Sequence, residues 1–137
     1  YKFNGYSYET DSKGRISSAE GKLQLRSPEY GRNHKDTIDV IGKGDEKEND
    51  ERGHLLGHQF GGGDNLENMV PMAKELNHGD YLKMESELAD AVGTCADVRL
   101  KVEPVYDGNS HRPTEIRVTY SIDGDRSVKV FRNGENG

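Results

Sequence analysis

The chain has 137 residues, a formal net charge of −6, 31% hydrophobic side chains and 32% charged ones. Its length fits one domain with a modest core, and 17 glycines without any tryptophan indicate that irregular connections occupy much of it. No apolar run approaches the roughly 20 residues that span a bilayer, so we expect no membrane insertion, and the lone Cys95 excludes an intramolecular disulfide. Because the sequence starts at Tyr1 rather than at a methionine, we expect residues 1–137 to be one domain excised from a longer protein.

The N-terminal third is predicted to contain short strands. Residues 6–10 and 16–25 have strand character on either side of a turn over residues 11–14, where Gly14 can take a positive φ. This arrangement predicts a β-hairpin. Residues 28–35 are predicted to form a loop, and residues 37–41 a further short strand.

The middle of the chain is predicted to hold a loop and then the most regular helix. Four glycines between Gly57 and Gly63 disfavour a helix there, since each costs roughly 1 kcal/mol relative to alanine. Asp80 is predicted as the N-cap of a helix in which apolar residues recur at helical spacing until Gly93 ends it.

The C-terminal part alternates between apolar and polar residues. A period of two runs through residues 98–102 and 116–122, with turns at 107–110 and 123–124, and residues 128–130 continue it as a final strand. The alternation predicts an antiparallel meander with one face in water.

Acidic side chains are concentrated in the middle of the sequence. Residues 44–97 contain 13 acidic and 4 basic side chains, and the flanking segments are slightly basic. One interpretation is that a bound metal offsets part of this charge while flanking arginines hold phosphates; the other is that residues 45–51 form a solvated acidic loop. The arginines considered for phosphate binding are Arg26, Arg32, Arg112 and Arg117.

Candidate catalytic residues begin with the segment Glu51-Arg52-Gly53-His54. Arg52 is a bidentate phosphate donor, Gly53 permits close approach of a substrate, and His54 can accept a proton from water near neutral pH. His58 follows four residues later, but the H-E-x-x-H motif of zinc proteases is excluded because its glutamate is absent and a glycine interrupts the helix. We expect His58 to be a loop residue or a substrate contact.

Asn77 and Glu85 are the candidates for holding a metal ion. The carboxamide oxygen of Asn77 suits Mg²⁺ (or Mn²⁺), which binds through few protein ligands, although a helix-flanking asparagine that satisfies backbone groups is the alternative. If the helix started by Asn77, Glu85 would lie about 12 Å further along its axis, too far to share the ion directly. Glu85 is therefore predicted to hold a metal-bound water or an arginine, or else to be an ordinary exposed carboxylate.

The ordered elements Glu51-Arg52-Gly53-His54, Asn68-x-x-Pro71, Leu76-Asn77-x-Gly79 and Glu85 resemble the DNA/RNA non-specific endonucleases of the ββα-metal, or His-Me finger, superfamily. The resemblance covers about residues 50–90. It implies that His54 is the general base, Asn77 the direct Mg²⁺ ligand and Glu85 a contact to the metal through water. It further implies that Arg52 and Asn68 organise the site.

The sequence departs from this family at Glu51, where the usual residue is aspartate, and no upstream phosphate-clamping arginine aligns securely, leaving Arg26 and Arg32 as candidates. A wider pattern that includes residues 6–11, 61–66 and 112–114 resembles the C-terminal nuclease domains of Gram-positive polymorphic toxins of the LXG type. That similarity implies type VII secretion, action in the cytoplasm of a target cell and a cognate immunity protein.

We therefore expect an α+β fold with a ββα-metal nuclease core, an antiparallel sheet and long loops. His54 is expected on a strand or its adjoining loop, and Asn77 near the start of the following helix. The predicted activity is metal-dependent, non-specific cleavage of DNA and possibly RNA. The alternatives are an RNA-preferring nuclease toxin and a catalytically inert binding domain in which His54 and Asn77 are structural.

Overall fold

The computed structural model describes residues 2–3, 5–25, 46–48, 50–60 and 68–133. Within these ranges the chain forms eight strands, two α-helices and a short 3-10 helix at His58–Phe60. The bounds are Lys2–Phe3 (β1), Tyr6–Thr10 (β2), Ile16–Lys22 (β3), Asp50–His54 (β4), Met69–Ala73 (β5), Lys74–Asn77 (α1), Asp80–Gly93 (α2), Val98–Tyr106 (β6), Pro113–Ile122 (β7) and Asp125–Arg132 (β8). The predicted loop 28–35, the predicted strand 37–41 and Gly61 to Gly63 lie outside the described residues.

Six strands form one antiparallel sheet in the order β1-β2-β3-β6-β7-β8. The predicted hairpin is confirmed as β2 and β3, with Gly14 at φ 76° and its N–H donating to the Asp11 carbonyl at 3.0 Å. β3 ends at Lys22 rather than at residue 25: Lys22 and Arg99 are the last pair in its register with β6, and the Leu23 N–H then donates to the carbonyl of Val98, the first residue of β6, at 2.8 Å.

The predicted C-terminal meander is confirmed as β6, β7 and β8, although β6 continues to Tyr106, four residues further than predicted. A two-residue turn joins β7 to β8, with Asp123 at φ 51° and Gly124 at φ 91°. Positive φ at both positions matches the right-handed twist of the two strands. One face of the meander is buried in β6 and β7, as the alternation predicted, whereas β8 is mostly exposed and its apolar residues Val128 and Val130 are 63% and 53% exposed.

Helix α2 covers the buried face of the meander. Its predicted range is confirmed, but Asp80 is the first helical residue and Gly79 occupies the N-cap position, so the predicted capping role of Asp80 is wrong. The Tyr81 ring meets Phe131 of β8 edge to face at 5.6 Å, and Glu87 lies 3.7 Å from Lys129. Buried side chains of the helix and of the sheet form one hydrophobic core.

Strands β4 and β5 form a separate two-stranded antiparallel sheet that leads directly into α1 and α2. We call β4, β5, α1 and α2 the ββα unit. Tyr6 of β2 joins this part of the chain to the large sheet, since its hydroxyl donates to the Phe60 carbonyl at 2.6 Å. The α+β prediction is confirmed. None of the described helices is both long and apolar enough to cross a membrane.

Candidate active site

His54 is the last residue of β4 and is buried, with 9% of its surface exposed. It pairs with Met69, and Arg52 pairs with Pro71 two residues earlier. Side chains alternate along a strand, so His54 and Arg52 share one face of β4, and Glu51 and Gly53 occupy the other. Gly53 has no room for a side chain, because an added Cβ would lie 2.7 Å from the Cβ of Met72.

Asn68 fixes the backbone that follows His54. Its side chain accepts a hydrogen bond from the Leu56 N–H at 2.9 Å and donates one to the Leu56 carbonyl at 2.9 Å. The Asn68 carbonyl accepts a further bond from the Leu55 N–H at 2.9 Å, and Tyr81 of α2 donates its hydroxyl to the Leu55 carbonyl at 2.5 Å. Asn68 is 1% exposed, so these bonds hold the chain after His54 in one position.

Asn77 and Glu51 are in direct contact. Asn77 is the last residue of α1, and its Nδ2 donates to Oε1 of Glu51 at 3.0 Å. The same oxygen lies 2.5 Å from Nε2 of the neighbouring His78. Glu51 thus engages the amide nitrogen of Asn77, and this contact does not use the amide oxygen Oδ1.

The geometry of this contact places Asn77 beside the strand that carries His54. Glu51 and His54 are three residues apart on β4, which corresponds to about 10 Å. The chain leaves the helical conformation at His78 and Gly79, so α1 and α2 are separate helices. Asn77 and Glu85 therefore do not lie on one continuous helix, and the separation of about 12 Å calculated along such a helix does not apply.

Glu85 lies on α2 with 9% of its surface exposed, which overturns the alternative of an ordinary exposed carboxylate. Its Oε2 lies against Gly57, where even an added Cβ would collide with it. Burial raises the pKa of Glu85 to about 8, because removal from water penalises the charged form. The carboxyl group thus faces the backbone three residues beyond His54.

Arg112 is not available to bind phosphate, which corrects its assignment from sequence. Its guanidinium donates to both carboxylate oxygens of Asp50, at 2.7 Å and 3.1 Å, and to the Asn133 carbonyl at 2.7 Å. The side chains of Arg112 and Asp50 are 4% and 2% exposed. Asp50 therefore belongs to a buried ion pair at the start of β4 and not to a solvated acidic loop.

Arg117, Arg26, Arg32 and His58 complete the sequence-based candidates. Arg117 is exposed on β7 of the large sheet, 3.8 Å from Glu115. Arg26 and Arg32 lie outside the described residues, and the position of the His58 side chain is likewise not described. Within the described ranges, no group of three or more His, Cys, Asp or Glu side chains is arranged to hold an ion.

Three residues that support the site were not identified from the sequence. His78 contacts Glu51, Tyr81 holds the Leu55 carbonyl, and Asn133 bridges the two sheets. The Asn133 amide donates to the carbonyls of Pro71 and Pro113 and accepts from the Ala73 N–H. The sequence gives little indication of these roles. Tyr81 fits the pattern of apolar helix positions, and Asn133 follows the last strand without belonging to a motif.

The model of a family described as DNA/RNA non-specific endonuclease matches residues 1–124. The type VII secretion system protein EssD of Staphylococcus aureus strain USA300 is 32% identical over 135 residues, which cover 94% of this chain and 22% of EssD. The chain thus spans about a fifth of the length of this curated relative.

Solved structures share the fold. NucA from Streptococcus agalactiae, crystallised with a magnesium ion bound, superposes with a TM-score of 0.74 at 16% identity over 98% of this chain and 76% of NucA. The Sda1 nuclease with a bound zinc ion gives a TM-score of 0.72 at 18% identity over 96% of this chain and 76% of Sda1. At these identities the likeness establishes the α+β architecture.

Proposed function

The chain belongs to the DNA/RNA non-specific endonuclease family, and we propose that it cleaves DNA, and also RNA, with a divalent metal ion, His54 and Asn77. The observation that carries the proposal is the contact between Asn77 and Glu51 on the strand that ends at His54. This contact holds the side chain of Asn77, which carries an oxygen donor, against the strand whose last residue is able to accept a proton from water. Both groups belong to the ββα unit.

The residues of the site fit a hard divalent ion. Magnesium prefers oxygen ligands and commonly keeps several waters, so the Oδ1 atom of Asn77 is a suitable protein ligand. We propose Mg²⁺, or Mn²⁺, as the ion; the magnesium in the NucA structure supports this choice, while the zinc in the Sda1 structure is the competing precedent. When bound, the ion supplies positive charge that stabilises the developing charge on the phosphate.

The chain's own side chains supply the remaining chemistry. His54 accepts a proton from water through its imidazole, and the resulting hydroxide attacks phosphorus in line with the departing oxygen. Arg52, on the same face of β4, contributes a planar cation that is suited to a phosphate oxygen. Asn68 fixes the backbone after His54, and Glu85 supports the neighbouring Gly57 segment or holds a water of the ion.

The test of this proposal compares digestion of plasmid DNA and total RNA by the wild-type chain and two variants, with Mg²⁺ and with EDTA. We expect His54→Ala to fold and to lower cleavage about 10²-fold or more, since a positioned general base contributes ~10²–10⁴. Asn77→Ala is expected to raise the half-saturating Mg²⁺ concentration, which His54→Ala leaves unchanged. Unimpaired turnover by folded His54→Ala, or no metal-dependent cleavage of either substrate, would instead support the inert binding domain.

We further propose that the domain is the toxic part of a protein exported by type VII secretion and acting in the cytoplasm of a target cell. The relationship to EssD supports export by this route. A nuclease without sequence preference attacks the genome of its own producer, so a cognate immunity protein must bind it tightly, at about nanomolar affinity over about 1,600 Å². Expression of the domain alone should kill a bacterial host that tolerates His54→Ala; harmless accumulation of an active wild-type domain contradicts this requirement.

A further inference from the structure

The face of the large sheet opposite α2 holds a concentration of positive charge in a protein whose net charge is −6. An open depression of about 400 Å³ lies on this face. Four basic residues line it, together with the single acidic residue Glu20 and several hydroxyl side chains. The four basic residues are Lys22, Arg99, Lys101 and Arg126. We call this depression the outer basic face.

The strand register explains why these cations share one surface. Lys22 pairs with Arg99, Arg99 with Ser121, and Ser121 with Arg126, so one row crosses four strands on the same face. Lys101 is two residues from Arg99 along β6 and therefore points to the same side. The intervening residues of β6, such as Leu100, point into the core on the α2 side.

The cations of this face are largely uncompensated within the described residues. Arg99 lies 3.3 Å from Asp97 with both side chains substantially exposed, a geometry that contributes little to stability. Glu20 is the direct neighbour of Lys101 on β3, and it leaves the lining with three positive charges in excess. These cations lie on the surface and do not pack in the core, so the stability of the fold does not account for their concentration on this face.

The spacing of the row matches a polyanion better than a single phosphate. Three strand-to-strand steps from Lys22 to Arg126 span about 14 Å, and a second row lies roughly 7 Å along the strands. A DNA duplex presents one negative charge for each ~1.7 Å of its axis, so a length of this size offers roughly eight phosphates. Ser7, Thr119 and Ser121 add hydroxyl donors, which commonly contact phosphate oxygens.

We infer that the outer basic face binds the phosphodiester backbone of nucleic acid, separately from the ββα unit. None of His54, Asn77 and Glu85 lines the depression. The inference rests on the proposed function, because it assigns this face to the polymeric substrate of the same enzyme. Segment 44–97, which contains the site residues, carries an excess of acidic side chains that disfavours the approach of a polyanion. A remote basic face raises the local concentration of substrate without requiring positive charge at the site.

The test measures binding of a 30-base-pair mixed-sequence duplex by fluorescence anisotropy at several salt concentrations. All proteins carry His54→Ala and are kept in EDTA, so the probe stays intact. Lys101→Gln/Arg126→Gln should reduce the slope of log affinity against log salt by about 2 and lower affinity about 10-fold or more at 0.1 M salt. The matched control is Lys83→Gln/Lys129→Gln, which removes the same charge from the α2 side and should leave the slope unchanged.

The inference is overturned if Lys101→Gln/Arg126→Gln and its parent bind the duplex equally, with the same salt slope. An acidic protein partner would then be the alternative ligand of this face. An equal loss in the control variant overturns it as well, because total charge then explains the effect. If Lys101→Gln/Arg126→Gln fails to fold, Lys22→Gln/Arg99→Gln removes the other two cations and carries the same expectation. Failure of the proposed function appears separately, as no cleavage of plasmid or of bis(p-nitrophenyl) phosphate by the wild-type chain.

Discussion

In the large sheet the buried positions of β6 and β7 are apolar, whereas His54 and Glu85 are buried in the ββα unit and Asn68 is buried directly before β5. A buried polar group costs free energy unless it is hydrogen-bonded, so the two regions are stabilised differently. The sheet depends on hydrophobic burial, which is not directional. The ββα unit depends on individual bonds that fix the positions of particular atoms.

The connection between the two regions is also polar. Arg112, directly before β7, pairs with Asp50 at the start of β4, and Asn133 bonds to backbone atoms of both sheets. Such pairs have directional requirements that apolar contacts lack. The orientation of the candidate site relative to the sheet therefore rests on a few buried polar residues. Removing them should lower the free energy of unfolding more than equal changes on the sheet surface.

The largest effect is expected for Arg112→Ala. It leaves the carboxylate of Asp50 buried and unpaired, which costs about 3–5 kcal/mol of unfolding free energy. Arg117→Ala, in the adjoining strand β7, is the matched control, since the 60% exposed side chain of Arg117 and its 3.8 Å contact with Glu115 predict a loss below about 1 kcal/mol. Urea denaturation of both variants measures the difference, and comparable losses would show that the buried pair does not distinguish the two regions.

A smaller effect is expected from the carboxyl group of Glu85. Its folded-state pKa is raised to about 8, so between about pH 4.5 and pH 8 the folded protein keeps a proton that the unfolded chain releases. Unfolding free energy attributable to Glu85 therefore falls as pH rises through this window, by at most roughly 1.4 kcal/mol per pH unit. Glu85→Gln should remove this dependence. The free energy of unfolding of the variant should therefore rise relative to that of the wild type as the pH rises from 5 to 8.

The control for this experiment is Glu87→Gln, which removes an exposed carboxylate from the same helix. Denaturation at pH 5, 6, 7 and 8 in EDTA compares the three proteins, so no ion contributes to stability. Glu87→Gln should follow the wild-type curve. A constant difference between Glu85→Gln and the wild type at all four pH values would mean that the carboxyl group is already ionised in the folded state at pH 5.

The sequence predicted the apolar architecture well and the polar connections poorly. Periodicity gave the bounds of α2 and the presence of the C-terminal meander, because both depend on repeated burial of one face. It did not reveal β5, whose five buried residues lack alternation and include Pro71. The distribution of charge along the sequence placed Arg112 with the phosphate-binding residues, because an arginine's partner in a distant strand leaves no local pattern.

The candidate site was predictable only as a set of residues in order. The motif identified Glu51, Asn68, Asn77 and Glu85, but not that Glu51 contacts Asn77 or that Asn68 bonds twice to Leu56. These contacts depend on how β4 meets the helices, which is a property of the tertiary structure. The catalytic roles of the motif residues stay predictions until the variants are assayed.

The smallest expected effects come from one substitution made in each region. Gly53→Ala inserts a methyl group 2.7 Å from the Met72 Cβ in the ββα unit, and overpacking of this kind costs about 1–3 kcal/mol. Gly124→Ala, in the exposed turn between β7 and β8, has space around it but a φ of 91°, which costs about 1 kcal/mol.

The two losses are similar in size and different in cause, so second substitutions should separate them. Met72→Ala should recover only part of the loss in Gly53→Ala, because it removes the Cε and Sδ atoms that lie 2.8 Å and 2.9 Å from the added Cβ but keeps the Cβ of residue 72, and it should not help Gly124→Ala. Replacing Gly124 by asparagine, which tolerates the left-handed region, should cost less than replacing it by alanine. Thermal denaturation of the single and double variants measures each difference. Additive losses in Gly53→Ala/Met72→Ala would mean that the Cε and Sδ atoms of Met72 do not limit the space available at Gly53.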